Sequence, residues 1–499
     1  MKFGENHIKI ALLVLVVLFG ISIIYTIHYN FEYYNSDDTY CVSCKNPAIS
    51  YPYPVHADEW AHLSQGIYIM EKGRLPAANP YTGKPYRDIE SGFHAFIAEF
   101  FTMTGLDPVL NYKFLPVIFI ILIILSLIIA LEALTKNFYI GLIASLFLLS
   151  VRNNINIMGL WFFLPMTLGI FILFIFYSLL FSRGPKSMLI LFYILSIFVY
   201  PLATMIITFT LLLEFIINKS WRKHPLLYAL YSLPFIAGFI FLMRLLDWRI
   251  SSLKSFIIYN YGWTTGHEVQ YSLYNLYPWF GILFAVAGLY FIWKKYNKSI
   301  ISWSLFCILP IITYTFMKFS LFVPYQRGLL YFLIGLAPLS AIGLYHTFAY
   351  LGSILKKKYL IIPLIIILSC AMLFYAFNGY QIVQDGTYRP YLLINDNDYQ
   401  ALLWLGQNYN NLKLIAPWDV TFAVYPVSKN RVMAVPASNL AAGDIDDAVQ
   451  FYSDGTSCSY KKKILDSHNV SIIYSRTPVI CQGFNLIYSQ SGVYIYRNT

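Results

Sequence analysis

The segment His56-Ala57-Asp58-Glu59-Trp60-Ala61-His62 sets two adjacent carboxylates and two imidazoles side by side in a chain whose charged content is only 12%. A carboxylate beside a membrane surface can take a proton from a hydroxyl if partial burial lifts its pKa toward the working pH. Asp58 is the candidate for such a base. Other roles are open to the same residues. Asp58 could instead N-cap a helix, its side chain accepting the free amides of the first turn, with Glu59 favoured by the helix dipole. His56 and His62 are substrate-binding candidates, and His56, Asp58, Glu59 and His62 could also hold a divalent metal.

Arg327, in Phe322-Val-Pro-Tyr-Gln-Arg327, stands at the mouth of an apolar run. Its guanidinium could hold a phosphate bidentately or snorkel to lipid headgroups. Lys318 could share that phosphate, and Arg152 is a further candidate. Asp88, Glu90 and His94 form a third group. It could border the acceptor site but reads more simply as a solvated loop face, from which His94 is retained as a substrate-binding candidate.

The elements that position these groups are mostly apolar. Of the 499 residues 58% are hydrophobic, and the mean hydropathy is +0.59, too high for a soluble globular chain. A polytopic α-helical membrane protein is expected, with about eleven spans. These are drawn at 8–28, 113–134, 137–152, 157–181, 187–200, 202–218, 226–246, 275–293, 300–317, 327–350 and 359–379. The run from Met188 to Leu213 is divided at Tyr200-Pro201, because proline removes a backbone donor and disfavours helix before it.

The net charge of +11 comes in short clusters between apolar runs, such as Lys294-Lys295 and Lys356-Lys357-Lys358. Clusters of this kind fix topology and meet anionic lipid headgroups, so membrane lipids are expected partners and nucleic acid is not. The loop bias predicts a cytoplasmic N-terminus, and eleven spans then put the C-terminus outside. Two domains follow: 1–379, a membrane domain that includes a first extracytoplasmic loop at 29–112, and 380–499, an extracytoplasmic α/β domain.

In the first loop an amphipathic helix is predicted from near Asp58 to Lys72, stopped by Gly73, and a second from Phe93 to Met103, ending before Gly105. The tail predicts a helix from Asn395-Asp396 through Leu405. Strands follow at 412–416, 431–435 and 470–474, then a hairpin of 484–488 and 493–496 across Ser491-Gly492. Of six cysteines, Cys307 and Cys370 lie in apolar runs. Cys41 with Cys44, and Cys458 with Cys481, are candidate disulfides if their side of the membrane is oxidising.

The run His-Ala-Asp-Glu-Trp-Ala-His-Leu-Ser-Gln-Gly, followed by Glu-Lys-Gly-Arg-Leu-Pro and Asn-Pro-Tyr, resembles the first external loop of GT-C membrane glycosyltransferases. It is similar to the Asp-Glu pair of protein O-mannosyltransferases and to the same loop in uncharacterised prokaryotic relatives. The resemblance implies a sugar donor on a polyprenyl phosphate, transfer with inversion, and a glycan, lipid or protein acceptor on the extracytoplasmic face. It implies Asp58 as general base, Glu59 as a neighbour that positions acceptor or donor, and Arg327 against the lipid phosphate. Pro417-Trp418-Asp419 matches only two residues of the Trp-Trp-Asp-Tyr-Gly motif of oligosaccharyltransferases. Arg152-Asn153-Asn154 stands where their second acidic pair would be. Both departures argue against sequon glycosylation and against a strict metal requirement.

Competing classes are a transporter or lipid flippase and a catalytically inactive membrane scaffold. Transporters usually carry ionisable groups at midplane and repeated halves. Here the apolar runs are almost free of charge and the acids concentrate outside them.

Overall fold

Long apolar stretches fold as helices because a helix satisfies its own backbone amides. The computed structural model describes residues 5–29, 51–86, 88–152, 160–182, 184–217, 276–354, 393–435 and 444–498, with isolated residues between 233 and 260 and between 367 and 376. Five helices among these are long and apolar enough to cross a bilayer: Asn6–Tyr25, Phe114–Thr135, Pro165–Ser182, Lys298–Met317 and Tyr325–Ile354. The expectation of eleven such spans is corrected accordingly. The runs at 137–152, 187–200 and 202–218 form the shorter apolar helices Phe138–Leu149, Ser187–Val199 and Pro201–Ile217. The first has 12 residues, about 18 Å at ~1.5 Å per residue, against a hydrocarbon layer of about 30 Å. Counting uncharged residues overstates helix length, since run ends are spent on caps and turns. The run at 275–293 forms the helix Trp279–Lys295, with two lysines in its last turn. Most of the expected spans 226–246 and 359–379 lies outside the described residues. At Tyr200-Pro201 the chain does break: one helix ends at Val199, Tyr200 is extended, and the next begins at Pro201.

The chain divides into two compact units, Met1–His28 with Pro116–Val383, and Tyr29–Leu115 with Gln384–Thr499. In the first, small residues let helices meet. A Cβ on Gly343 would fall 1.8 Å from the carbonyl oxygen of Phe284, and one on Gly288 would fall 2.0 Å from that of Leu339. Helices Trp279–Lys295 and Tyr325–Ile354 therefore touch backbone to backbone, as membrane helices do where lipid offers no hydrophobic drive. Buried hydroxyls bond between other helices: Tyr177 lies 2.7 Å from Thr210 and 3.0 Å from Ser302. Two short strands, β1 (Ile258–Asn260) and β2 (Phe319–Leu321), pair antiparallel.

The second unit is mixed α/β. Helix Ala57–Lys72 stops at Gly73, whose φ of 62° is left-handed, and helix Ser91–Thr104 stops at Gly105 in the same way. In the tail, helix Asp396–Asn408 is capped by Asn395, with Asp398 closing the capping box. Strands β3 (Lys413–Ile415), β4 (Arg431–Val432), β5 (Ile472–Ser475), β6 (Phe484–Gln490) and β7 (Val493–Asn498) form one sheet in the order β4-β3-β5-β7-β6. β3 is parallel to β4 and β5, while β7 is antiparallel to β5 and β6. The β6–β7 turn holds Ser491 and Gly492 at positive φ, the conformation a two-residue hairpin turn requires. The strand expected at 431–435 is shorter than predicted. Helices Thr421–Ser428, Ile445–Tyr452 and Cys458–Ser467 were not legible as elements. Cys458 and Cys481 form a disulfide, with Cα atoms 5.5 Å apart. Cys41 and Cys44 lie outside the described residues.

Tyr81 links the first loop to the tail. Its ring is fully buried. Its hydroxyl donates to the Phe422 carbonyl at 2.7 Å, with the Trp60 carbonyl at 3.1 Å. Its own carbonyl accepts from the Val432 amide of β4 at 2.8 Å. Burial pushes the phenol pKa well above its ordinary value, so the group remains a donor. Tyr81→Phe removes that donor and leaves a buried carbonyl short of a partner. It is expected to cost on the order of 1–2 kcal/mol, read as a lower unfolding midpoint of the full chain in detergent. An unchanged midpoint would show that the ring alone makes the link.

Candidate active site

Helix Ala57–Lys72 begins with amides that no preceding turn can satisfy. His56, not Asp58, caps them: its Nδ1 accepts from the Asp58 amide at 3.0 Å, and the imidazole is 4% exposed. Glu59 closes the box in reverse, Oε2 accepting from the amides of Val55 at 3.0 Å and His56 at 3.2 Å. Glu59 is buried. The cap role considered for Asp58 is thus filled by its neighbours. Asp58 sits half-buried in the first turn, where the partial positive charge of the helix end favours a carboxylate. Among the described residues its carboxylate has no partner.

One turn on, His62 Nδ1 lies 2.8 Å from His94 Nε2, and the rings stack with centroids 5.1 Å apart. His94 Nδ1 in turn meets Asp88 Oδ2 at 2.6 Å, with the His94 and Asp88 side chains 1% and 5% exposed. The remaining oxygen of Asp88 accepts from the Glu90 amide at 2.9 Å. Asp88 therefore does not lie on a solvated loop face, as the sequence suggested. It is the buried end of an Asp88–His94–His62 chain, and its carboxylate fixes a proton on His94 Nδ1.

Gly66 makes the chain possible. A Cβ there would stand 2.5 Å from Ile97 Cγ2, so helices Ala57–Lys72 and Ser91–Thr104 cross closely enough for His62 to reach His94. Among the described residues no three or more His, Cys, Asp or Glu side chains gather as a metal site. With His56 Nδ1 taken by a backbone amide, the set His56, Asp58, Glu59 and His62 does not form one.

The candidate phosphate ligands belong to the other unit. Arg327 lies in the first turn of helix Tyr325–Ile354, half-buried, with Nη1 3.4 Å from the Tyr200 hydroxyl. Lys318 is exposed, in left-handed conformation just past helix Ile301–Met317, with Nζ 5.7 Å from the Tyr314 ring centroid. Arg152 is engaged in the protein: it stacks 3.6 Å over Tyr375, donates to the Tyr375 carbonyl, and its amide donates to Leu276. In the tail, Asp419 forms an ion pair with Arg476, which also binds Asp398 through Nε at 3.0 Å and Nη2 at 2.6 Å. Trp418 is 38% exposed.

No protein-family model and no curated protein sequence matches this chain. Solved structures do. The archaeal oligosaccharyltransferase AglB from Archaeoglobus fulgidus, in complex with an inhibitory peptide and a dolichol-phosphate, aligns with a TM-score of 0.61 at 13% identity, over 100% of this chain and 75% of that one. ArnT from Cupriavidus metallidurans bound to undecaprenyl phosphate aligns with a TM-score of 0.55 at 11% identity, over 100% and 99%. This chain shares its fold with these two proteins. Five described helices long and apolar enough to cross a bilayer, together with the mixed α/β unit, make it a multi-pass α-helical membrane protein with a non-membrane region.

Gly66→Ala tests the helix crossing. It should separate His62 from His94 and destabilise the chain by about 1–3 kcal/mol, measured by thermal unfolding. An unchanged midpoint would mean that Ile97 moves aside without cost.

Proposed function

We propose that the chain transfers a hexose from a polyprenyl-phosphate donor to an acceptor on the extracytoplasmic face, with inversion at the anomeric carbon. The observation that carries this reading is Asp58: a half-buried carboxylate at a helix start whose capping is done by other residues. The acceptor hydroxyl gives its proton to Asp58 as its oxygen bonds to the anomeric carbon. The bond from that carbon to the phosphate oxygen breaks, and the lipid phosphate leaves with the electron pair. Arg327, with Lys318, stabilises the departing charge. Glu59 contributes by holding the helix start, and His62, held from behind by the buried His94, faces the substrate. That two proteins of the same fold were solved with dolichol-phosphate and undecaprenyl phosphate supports a polyprenyl carrier.

The proposed topology has the N-terminus cytoplasmic, residues 1–379 as the membrane domain with its first loop outside, and 380–499 as an extracytoplasmic domain. Acceptors in range are a glycan, a lipid or a protein. Sequon recognition is disfavoured, since the Trp-Trp-Asp-Tyr-Gly motif is incomplete and Asp419 is held by Arg476.

The test is transfer from polyprenyl-phosphate sugars to a membrane extract by the full chain in lipid nanodiscs. Asp58→Asn should lower turnover by on the order of 100-fold or more with donor binding retained. Arg327→Leu should chiefly weaken donor use, raising its KM about tenfold. An Asp58→Asn protein as active as wild type would remove the base assignment.

A further inference from the structure

The helix face that carries Asp58 continues as a polar stripe. At about 100° per residue, Asp58, His62 and Gln65 fall within roughly 60° of one another. Gln65 is 1% exposed, yet among the described residues neither its Oε1 nor its Nε2 meets a hydrogen-bond partner. A buried carboxamide that satisfies neither its donor nor its acceptor is rare in a folded protein and calls for an explanation. A leucine would fill a similar volume without that cost. The Trp60 indole N–H is also buried without a partner among the described residues, but it is a single donor on the opposite side of the helix.

We propose that Gln65 binds a sugar, its Oε1 accepting from one hydroxyl and its Nε2 donating to the neighbouring one. This rests on the glycosyltransferase reading and names the chemistry that the Asp58 face selects. A carboxamide offers one acceptor and one donor side by side, which matches a vicinal diol. An anion is a poor fit, since the Asp58 carboxylate lies on the same stripe and Oε1 would repel it. A hydrocarbon chain leaves both amide groups unsatisfied. The Asp88–His94 pair holds the His62 ring in place along that stripe. At 1% exposure Gln65 is reached only when the side chains over it turn, a rotamer change of the kind that binding commonly brings. The diol can belong to the donor sugar or to an acceptor glycan.

The experiment compares Gln65 with Gln65→Leu in full-length protein in nanodiscs, each probe presented alone so that no donor and acceptor meet and binding is read without transfer. The probes are decaprenyl-phosphate mannose, decaprenyl-phosphate glucose, bare decaprenyl phosphate, and the disaccharides mannobiose and cellobiose. The unfolding midpoint without ligand should stay level or rise in Gln65→Leu, because an unsatisfied amide is removed. Preference for a sugar-bearing lipid over the bare lipid should fall about tenfold if the diol is the donor's. Disaccharide binding should fall by a similar factor, with donor binding unchanged, if it is the acceptor's. A lower midpoint in Gln65→Leu, equal binding of every probe by both proteins, or no sugar-dependent binding by the Gln65 protein would each overturn the assignment. None of these outcomes depends on whether Asp58 is the base, which the transfer assay decides separately.

Discussion

The free amides at the start of helix Ala57–Lys72 are the constraint on which the candidate site depends. In a buried setting each must find an acceptor, and an aspartate in the first turn would ordinarily be drawn into that task. Here His56 and Glu59 satisfy the amides reciprocally. The local result is a rigid helix start. The chemical result is a carboxylate that the helix itself does not consume. Histidine is an unusual cap, and it can serve only through an unprotonated Nδ1, so the cap also fixes the state of that imidazole.

The same economy runs through the tail. Arg476 binds Asp398, Asp419 and the Leu393 carbonyl, so a guanidinium that could have met a substrate anion is spent on joining helix Asp396–Asn408 to the end of β5. Tyr51 and Tyr53 of the first loop donate to the Ile394 carbonyl and to Asp396, and Lys429 pairs with Glu71 at 3.0 Å. These contacts, with Tyr81, make one unit of two chain segments. Asp396, Asp398 and Asp419 serve this assembly, whereas Asp58 does not.

Much of this was legible in the sequence because it rests on local rules. Gly73 and Gly105 end their helices by left-handed geometry, Asn395 caps as its type predicts, and Tyr200-Pro201 breaks the chain as proline must. The hairpin at Ser491-Gly492 was visible from turn chemistry. The bilayer count was less legible, because apolar composition reports burial and not helix length. The Asp88–His94–His62 chain and the burial of Gln65 depend on how two helices cross, and Gly66 gives no sign of Ile97 until both are placed. The cap was misassigned to Asp58 in one reading because residue statistics favour aspartate there, while the position of the first helical turn decided for His56.

The second unit is discontinuous in the chain, and this bears on its synthesis. The Tyr81 hydroxyl waits for a carbonyl 341 residues downstream. At a translation rate of roughly 5–20 residues per second, that partner emerges on the order of 20–70 s later. Throughout that interval the loop carrying Asp58 stands without the helix and sheet edge that complete its fold. Membrane insertion of most of the helices must therefore precede assembly of this unit, so a ribosome that stalls before Phe422 releases a protein able to occupy the bilayer but not to complete the fold around Asp58.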